Sequence, residues 1–62
     1  MLKNDPPTGT EVRFVHDMKK VKKNDLAILV RPIRKFEVEH ASDQYEVEFL
    51  GEHIIVQRSD IE

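Results

Sequence analysis

The chain has 62 residues, of which 35% are charged, and it contains no cysteine and no tryptophan. Such a length allows one small domain, and without cysteine the chain can form neither a disulfide nor a thiolate metal site. No apolar run approaches the roughly 18 residues of a membrane span, and no signal-peptide pattern is present. We therefore expect a cytoplasmic protein without a membrane span.

The N-terminal residues differ in composition from the rest of the chain. Residues 1–9 contain the Pro6-Pro7 pair, which removes two backbone donors and favours extended, unpaired chain. We predict a flexible, proline-rich N-terminal tail over residues 1–9 and a single folded domain over residues 10–62.

The first half of the domain predicts two strands joined by an irregular loop. Residues 10–15 alternate in polarity, and residues 26–30 form an apolar run that indicates a strand covered on both faces or bending over the core. Residues 18–25 between them predict a loop with Val21 as its one apolar anchor. Pro32 predicts a kink or an edge position, because proline cannot donate to a sheet ladder.

The second half predicts three further strands in tight succession. Residues 35–40 and 44–49 alternate with period two, and Ala41-Ser42-Asp43 suits the hairpin turn between them. Residues 53–57 form another strand, reached through a turn at Gly51, where we expect a positive φ.

A single helical turn is predicted at residues 59–62, with Ser59 as its cap and Ile61 in the core. About five short strands favour a small closed barrel, since closure removes exposed sheet edges. An open sheet of three or four antiparallel strands, with a short helix at residues 17–24, is the alternative.

Three segments of the chain resemble the SH3-like barrel family. These are Gly9-Thr-Glu-Val-Arg-Phe-Val15, Tyr45-Glu-Val-Glu-Phe49 and Ile55-Val-Gln-Arg-Ser-Asp-Ile-Glu62. Within this group the chain is similar to small accessory proteins, namely the E-type chain of photosystem I and the variable chain of ferredoxin–thioredoxin reductase. The resemblance implies an all-β SH3-like barrel with a short C-terminal helical turn, and a role as an accessory docking protein on a larger complex.

Charge is strongly segregated along the chain. Residues 18–35 carry a net charge of +6 and residues 36–62 a net charge of −7. The candidate basic patch consists of Lys19, Lys20, Lys22, Lys23, Arg31, Arg34 and Lys35. The candidate acidic docking face consists of Glu37, Glu39, Glu46 and Glu48, which the alternation places on the outer side of two neighbouring strands.

These charges suggest two functions. The first is a non-catalytic module that docks on a larger protein complex, because complementary charge speeds encounter and sets orientation. The alternative is a regulatory protein that binds nucleic acid through the basic segment at residues 18–35, in a salt-sensitive manner. We expect neither an enzyme nor a cofactor or metal site. No catalytic constellation is apparent, and the histidines His16, His40 and His53 are scattered in sequence.

Overall fold

The computed structural model describes residues 5–34 and 42–62, which form an all-β chain. One open antiparallel sheet has the order β1-β2-β3-β4, with β1 at Glu11–Arg13, β2 at Leu26–Arg34, β3 at Gln44–Phe49 and β4 at Glu52–Gln57. The prediction of an all-β chain is confirmed, whereas five strands and a closed barrel are not. The strand predicted at residues 35–40 lies outside the described residues. No helix within the described part of the chain is long and apolar enough to cross a membrane.

The core lies on one face of the sheet, and its members come from all four strands, from the β1–β2 loop and from the C-terminal residues. They are Val12, Phe14, Val21, Ala27, Leu29, Tyr45, Val47, Val56 and Ile61. Each large side chain removed from water in this way contributes about 1.5–3 kcal/mol. The predicted inward positions of β1 and β3 are confirmed. The rings of Phe14 and Phe49 meet edge to face at a centroid distance of 6.1 Å.

Strand β2 is buried on one face only. Ala27 and Leu29 point into the core, while Leu26 and Ile28 are exposed on the opposite side. The expectation that the apolar run is covered on both faces is therefore wrong, because nothing among the described residues packs over its outer side. Register shifts relative to β3 occur on both sides of Pro32, as expected for a residue that cannot complete a ladder.

Strands β3 and β4 form a regular hairpin. Their register runs without a shift from the Gln44–Gln57 pair to the Phe49–Glu52 pair. The two turn residues Leu50 and Gly51 have φ angles of 52° and 81°, as a type I′ turn requires. The positive φ expected at Gly51 is confirmed. Leu50 adopts the same left-handed backbone with a side chain that is 88% exposed.

The C-terminal residues return to β1. A 3₁₀ turn at Arg58–Asp60 follows β4, and the next residue, Ile61, forms an antiparallel bridge with Phe14. The backbone N–H groups of Arg13 and Glu62 each donate to the other's carbonyl oxygen at 2.9 Å. Ile61 is buried as predicted.

The residue that caps this turn is Gln57 and not the expected Ser59. The backbone N–H of Gln57 donates to the carboxylate of Asp60 at 2.8 Å. Ser59 follows Arg58 inside the turn, so it lies too far along the chain to act as the cap.

Hydrogen bonds attach the described N-terminal residues to β2 and β3. The N–H of Gly9 and the hydroxyl of Thr8 donate to carbonyl oxygens of β2, each at 2.8 Å. The Asp5 carboxylate accepts from the backbone N–H of Ser42 and the hydroxyl of Tyr45, both at 2.7 Å, and from the Ser42 hydroxyl at 3.0 Å. Residues 5–9 of the predicted tail are thus bonded to the sheet at Asp5, Thr8 and Gly9.

The loop between β1 and β2 is irregular and contains no helix, so the helix of the alternative fold is absent from it. Val21 anchors the loop in the core as predicted. Carboxylates shape the rest: Asp17 accepts from the N–H of Lys23 at 2.8 Å, and Asp25 accepts from the N–H of Lys22 at 2.9 Å. Such local bonds from aspartate to backbone are typical of turns.

Candidate functional site

The side of the sheet opposite the core carries a cluster of charged side chains that contact one another. Strand alternation turns Glu46 and Glu48 of β3 outward, since Tyr45 and Val47 between and beside them are buried. The register places Arg31 of β2 and Ile55 of β4 on either side of Glu46.

Four side chains on this side of the sheet form a continuous network of contacts, which we call the charge network. They are Arg31, Glu46, His53 and Glu48. Arg31 Nε donates to Glu46 Oε1 at 2.8 Å. The other oxygen of that carboxylate, Oε2, lies 2.5 Å from His53 Nδ1. The second ring nitrogen of His53, Nε2, lies 3.4 Å from Glu48 Oε2. The imidazole therefore bridges two carboxylates that alternate along one strand.

The charge network shifts the pKa values of Glu46 and His53 in opposite directions. The hydrogen bond from His53, followed by the hydrogen bond and charge of Arg31, lowers the pKa of the Glu46 carboxyl. The hydrogen bond to Glu46, with further attraction from Glu48, raises the pKa of His53 above its ordinary 6.5. The protonated imidazole is thus favoured in the folded protein, as expected for a histidine beside two carboxylates.

Exposed apolar side chains flank the charge network on the same face. Ile28 stands opposite Glu48 on β2, and Ile55 stands opposite Glu46 on β4. Ile55 is 54% exposed although it belongs to a regular strand. We use the term outer face for the charge network together with these two isoleucines. Its surface combines paired charges with accessible hydrocarbon.

The acidic docking face predicted from sequence is only partly described. Glu46 and Glu48 lie on the outer face of β3, while Glu37 and Glu39 lie outside the described residues. The two described carboxylates differ in accessibility. The Glu46 side chain is 15% exposed between Arg31 and His53, whereas Glu48 is 48% exposed. Glu48 is therefore the carboxylate on β3 that a partner could reach.

The predicted basic patch is divided between the loop and the sheet. The described loop lysines are all exposed, and they are Lys19, Lys20, Lys22 and Lys23. Lys20 Nζ lies 3.3 Å from Glu52 Oε2, and Arg31 is bonded to Glu46 within the charge network. Arg34 pairs with Gln44 in the sheet, and Lys35 lies outside the described residues. Within the described residues, the basic and acidic segments of the sequence thus meet at the Lys20–Glu52 and Arg31–Glu46 pairs. Exposed ion pairs of this kind contribute little to stability.

Sequence reasoning missed the role of His53 and the exposure of the two isoleucines. Period-two alternation puts His53 on the same side of β4 as Ile55, but it does not give the register that sets His53 opposite Glu48. The two-residue turn at Leu50 and Gly51 was the available signal, because a tight hairpin fixes the register of both strands.

A second polar cluster lies at the other end of β3, where Asp5, Ser42 and Tyr45 meet. Ser42 and Tyr45 are buried, and both donate to the carboxylate of Asp5. Burial, followed by this hydrogen bond, raises the pKa of the Tyr45 hydroxyl well above its ordinary value. The hydroxyls of Ser42 and Tyr45 thus find their acceptor in Asp5, and these bonds attach the N-terminal residues to the sheet. Among the described residues, no three histidine, aspartate or glutamate side chains are grouped to hold a metal ion.

Comparisons of the chain with protein-family models, with curated proteins and with solved structures found no match.

Proposed function

We propose that this chain is a non-catalytic docking module that associates with a larger protein complex through its outer face. The observation that carries the proposal is the position of Ile28 and Ile55 beside an ordered charge network. Accessible apolar side chains give a contact its affinity, while neighbouring charges orient the partner and speed encounter.

The rigidity of the face also supports this function. Glu46 is held from both sides by Arg31 and His53, so the network keeps one geometry on a hydrogen-bonded sheet. A contact formed by such preorganised groups loses less side-chain entropy on binding. Glu48 is the more exposed of the two carboxylates and lies 3.4 Å from His53, so a partner with a basic residue beside an apolar patch could compete for it.

We further propose that the fold is completed as an SH3-like barrel. The support is the reciprocal backbone bonding of Arg13 with Glu62 and the bridge of Phe14 with Ile61, which bring the C-terminal residues alongside β1. In solution, slow amide exchange of both Arg13 and Glu62 is expected if β1 and the C-terminal residues form a stable pairing. Rapid exchange of either amide would contradict it.

The docking proposal is tested by affinity capture from extracts of cells that express the protein. We expect proteins captured at low salt by the unmodified chain to be lost with Ile55→Arg and weakened with Glu48→Lys. Ser59→Lys, which adds a positive charge at an exposed position of the 3₁₀ turn outside the outer face, is the matched control and is expected to keep them. Equal capture by all three variants would contradict a docking role for this face.

Nucleic-acid binding is the second candidate, favoured by the four exposed lysines of one short loop. Its test is filter binding of duplex DNA and single-stranded RNA over a range of salt concentrations. A contact with phosphates gives a slope of log K against log salt of about −0.9 per neutralised phosphate on duplex DNA. Since Lys20 and Arg31 already pair with carboxylates, we expect weak binding and a shallow slope.

A further inference from the structure

A cleft separates the β1–β2 loop from β4. Its volume is about 270 Å³, and its lining includes Met18, Lys19, Lys20, Ile54, Ile55 and Val56. This volume is just below the roughly 300–1,000 Å³ of pockets that hold small-molecule ligands, so it suits a few apolar side chains better.

Two side-chain contacts connect the loop to the chain beyond the cleft. His16 Nε2 lies 2.8 Å from Asp60 Oδ1, past the C-terminal end of β4, and Lys20 Nζ lies 3.3 Å from Glu52 Oε2 at its N-terminal end. The loop therefore runs antiparallel to β4. No backbone hydrogen bond joins the two among the residues that the structure describes.

The edge of β4 that faces away from β3 has unused backbone groups. In a hairpin with a two-residue turn, the pair flanking the turn is hydrogen-bonded, and bonded pairs alternate from there. Phe49 with Glu52 is that pair, so His53 and Ile55 turn their N–H and C=O groups away from β3. The N–H of Gln57, two residues further, also points away and is capped by Asp60. Within the described residues, His53 and Ile55 find no backbone partner on this side.

We propose that this edge takes an extended segment of a partner protein as an added strand. The segment would bond to the backbone of His53 and Ile55 and place apolar side chains from alternate positions in the cleft, against Ile54 and Val56. Strand addition of this kind gives affinity through main-chain hydrogen bonds and specificity through side-chain pockets. The site shares His53 and Ile55 with the outer face, and it adds a backbone contact to the proposed docking function on which it rests.

Charge selects the chemistry of that segment. Lys19 lines the cleft beside Lys20, which is paired with Glu52, and Lys22 and Lys23 are exposed on the same loop. Acidic residues beside the apolar positions are therefore favoured, and basic ones are disfavoured. The same lysines argue against a second copy of this chain as the occupant. Pairing of two β4 edges would bring both loops, with their like charges, to one side of the joint sheet.

The test uses the full chain and a synthetic peptide with valines at alternate positions, threonines between them and a pair of glutamates at each end. Binding is followed by amide resonances and hydrogen exchange. We expect the amides of His53 and Ile55 to shift and to exchange at least about tenfold more slowly when the peptide is bound. The same peptide with lysines in place of the glutamates is expected to bind at least about tenfold more weakly.

Two variants distinguish peptide binding at the β4 edge from binding at the charge network. Lys19→Glu is expected to weaken the acidic peptide severalfold, whereas Glu48→Lys, on the outer face, leaves peptide affinity unchanged or slightly higher. If the unmodified chain binds no peptide while Ile55→Arg still abolishes partner capture, this inference is overturned and the docking proposal remains intact. Shifts at His53 and Ile55 that depend on protein concentration without peptide would identify a second copy as the occupant and would also overturn it.

Discussion

The hydroxyl of Tyr45 donates a hydrogen bond of 2.7 Å to the carboxylate of Asp5, which lies 40 residues earlier in the chain. Tyr45 is fully buried in β3, so this bond joins the N-terminal residues to the centre of the sheet. The phenol thus has two roles, as a core side chain and as the donor that holds residue 5 in place.

Tyr45→Phe is expected to destabilise the fold by about 1.5–3 kcal/mol, the usual contribution of a hydrogen bond to a charged group. Urea unfolding followed by circular dichroism measures the loss. In an Asp5→Ala background the same substitution should cost much less, because the acceptor is already gone. Equal losses in the two backgrounds would show that the bond carries no stability.

Stability is expected to fall in alkali because of the same group. The pKa of Tyr45 is raised in the folded chain above its ordinary 10.0, so the unfolded chain loses the proton first as pH rises. The folded state is then disfavoured progressively above about pH 10 and is unaffected by this group below it. Absorbance of phenolate at increasing pH, compared with circular dichroism, should show ionisation only as the chain unfolds. A phenolate signal from the folded chain would contradict this.

His53 is expected to titrate above 6.5 in the folded protein, since Glu46 and Glu48 stabilise the imidazolium. The contribution of His53 to the free energy of unfolding is fully present below about pH 6.5. It is lost as pH rises through the higher pKa of the folded state. Proton NMR of the imidazole measures the titration directly. Glu46→Gln should return the pKa of His53 toward its ordinary value. Glu52→Gln, which removes a carboxylate bonded to Lys20, is the control and should leave it nearly unchanged.

Leu50→Asn is expected to stabilise the hairpin by about 0.5–1 kcal/mol. Asparagine tolerates the left-handed backbone found at Leu50 better than leucine, and Asn-Gly is the preferred type I′ sequence. Little is lost in exchange, because the leucine side chain is almost wholly exposed. Gly51→Ala, at φ 81°, should have the opposite sign. Thermal unfolding of both variants provides the comparison, and destabilisation by Leu50→Asn would indicate a structural role for that side chain.

The faces of β3 can be tested with a matched pair of neighbours. Val47→Asp places a carboxylate at a position that is fully buried among apolar side chains, and we expect it to abolish folding. Glu48→Lys, one residue away on the exposed side, should change stability by less than about 0.5 kcal/mol. Circular dichroism and amide dispersion distinguish the two outcomes. Tolerance of the aspartate would mean that the strand register is displaced by one residue.

Local patterns in the sequence predicted the strands and their inward residues, since alternation is a property of each strand alone. The buried positions of Tyr45 and Val47 follow from that rule. The exposed side of β2 was not predicted, because a continuous apolar run carries no alternation from which a face could be read. Its outer residues stay exposed because no second layer covers them among the described residues.

The contacts of the candidate site depend on register and on pairs distant in sequence. Arg31 meets Glu46 only after the register shift between Leu29 and Arg31, and no local rule places that shift. In the same way, Asp5 reaches Tyr45 across most of the chain. Charge segregation therefore indicated that the two segments are complementary but could not identify which side chains pair.

The bonding of Arg13 to Glu62, across 49 residues, bears on the order in which the structure forms. The β3–β4 hairpin closes through a two-residue turn, whereas this pairing must close a loop that spans nearly the whole domain, and loop closure grows more costly with length. We expect the hairpin to form early and the β1 pairing with the C-terminal residues to form after the main barrier. Substitutions at Ile61 should then mainly accelerate unfolding, whereas those in the hairpin should slow folding.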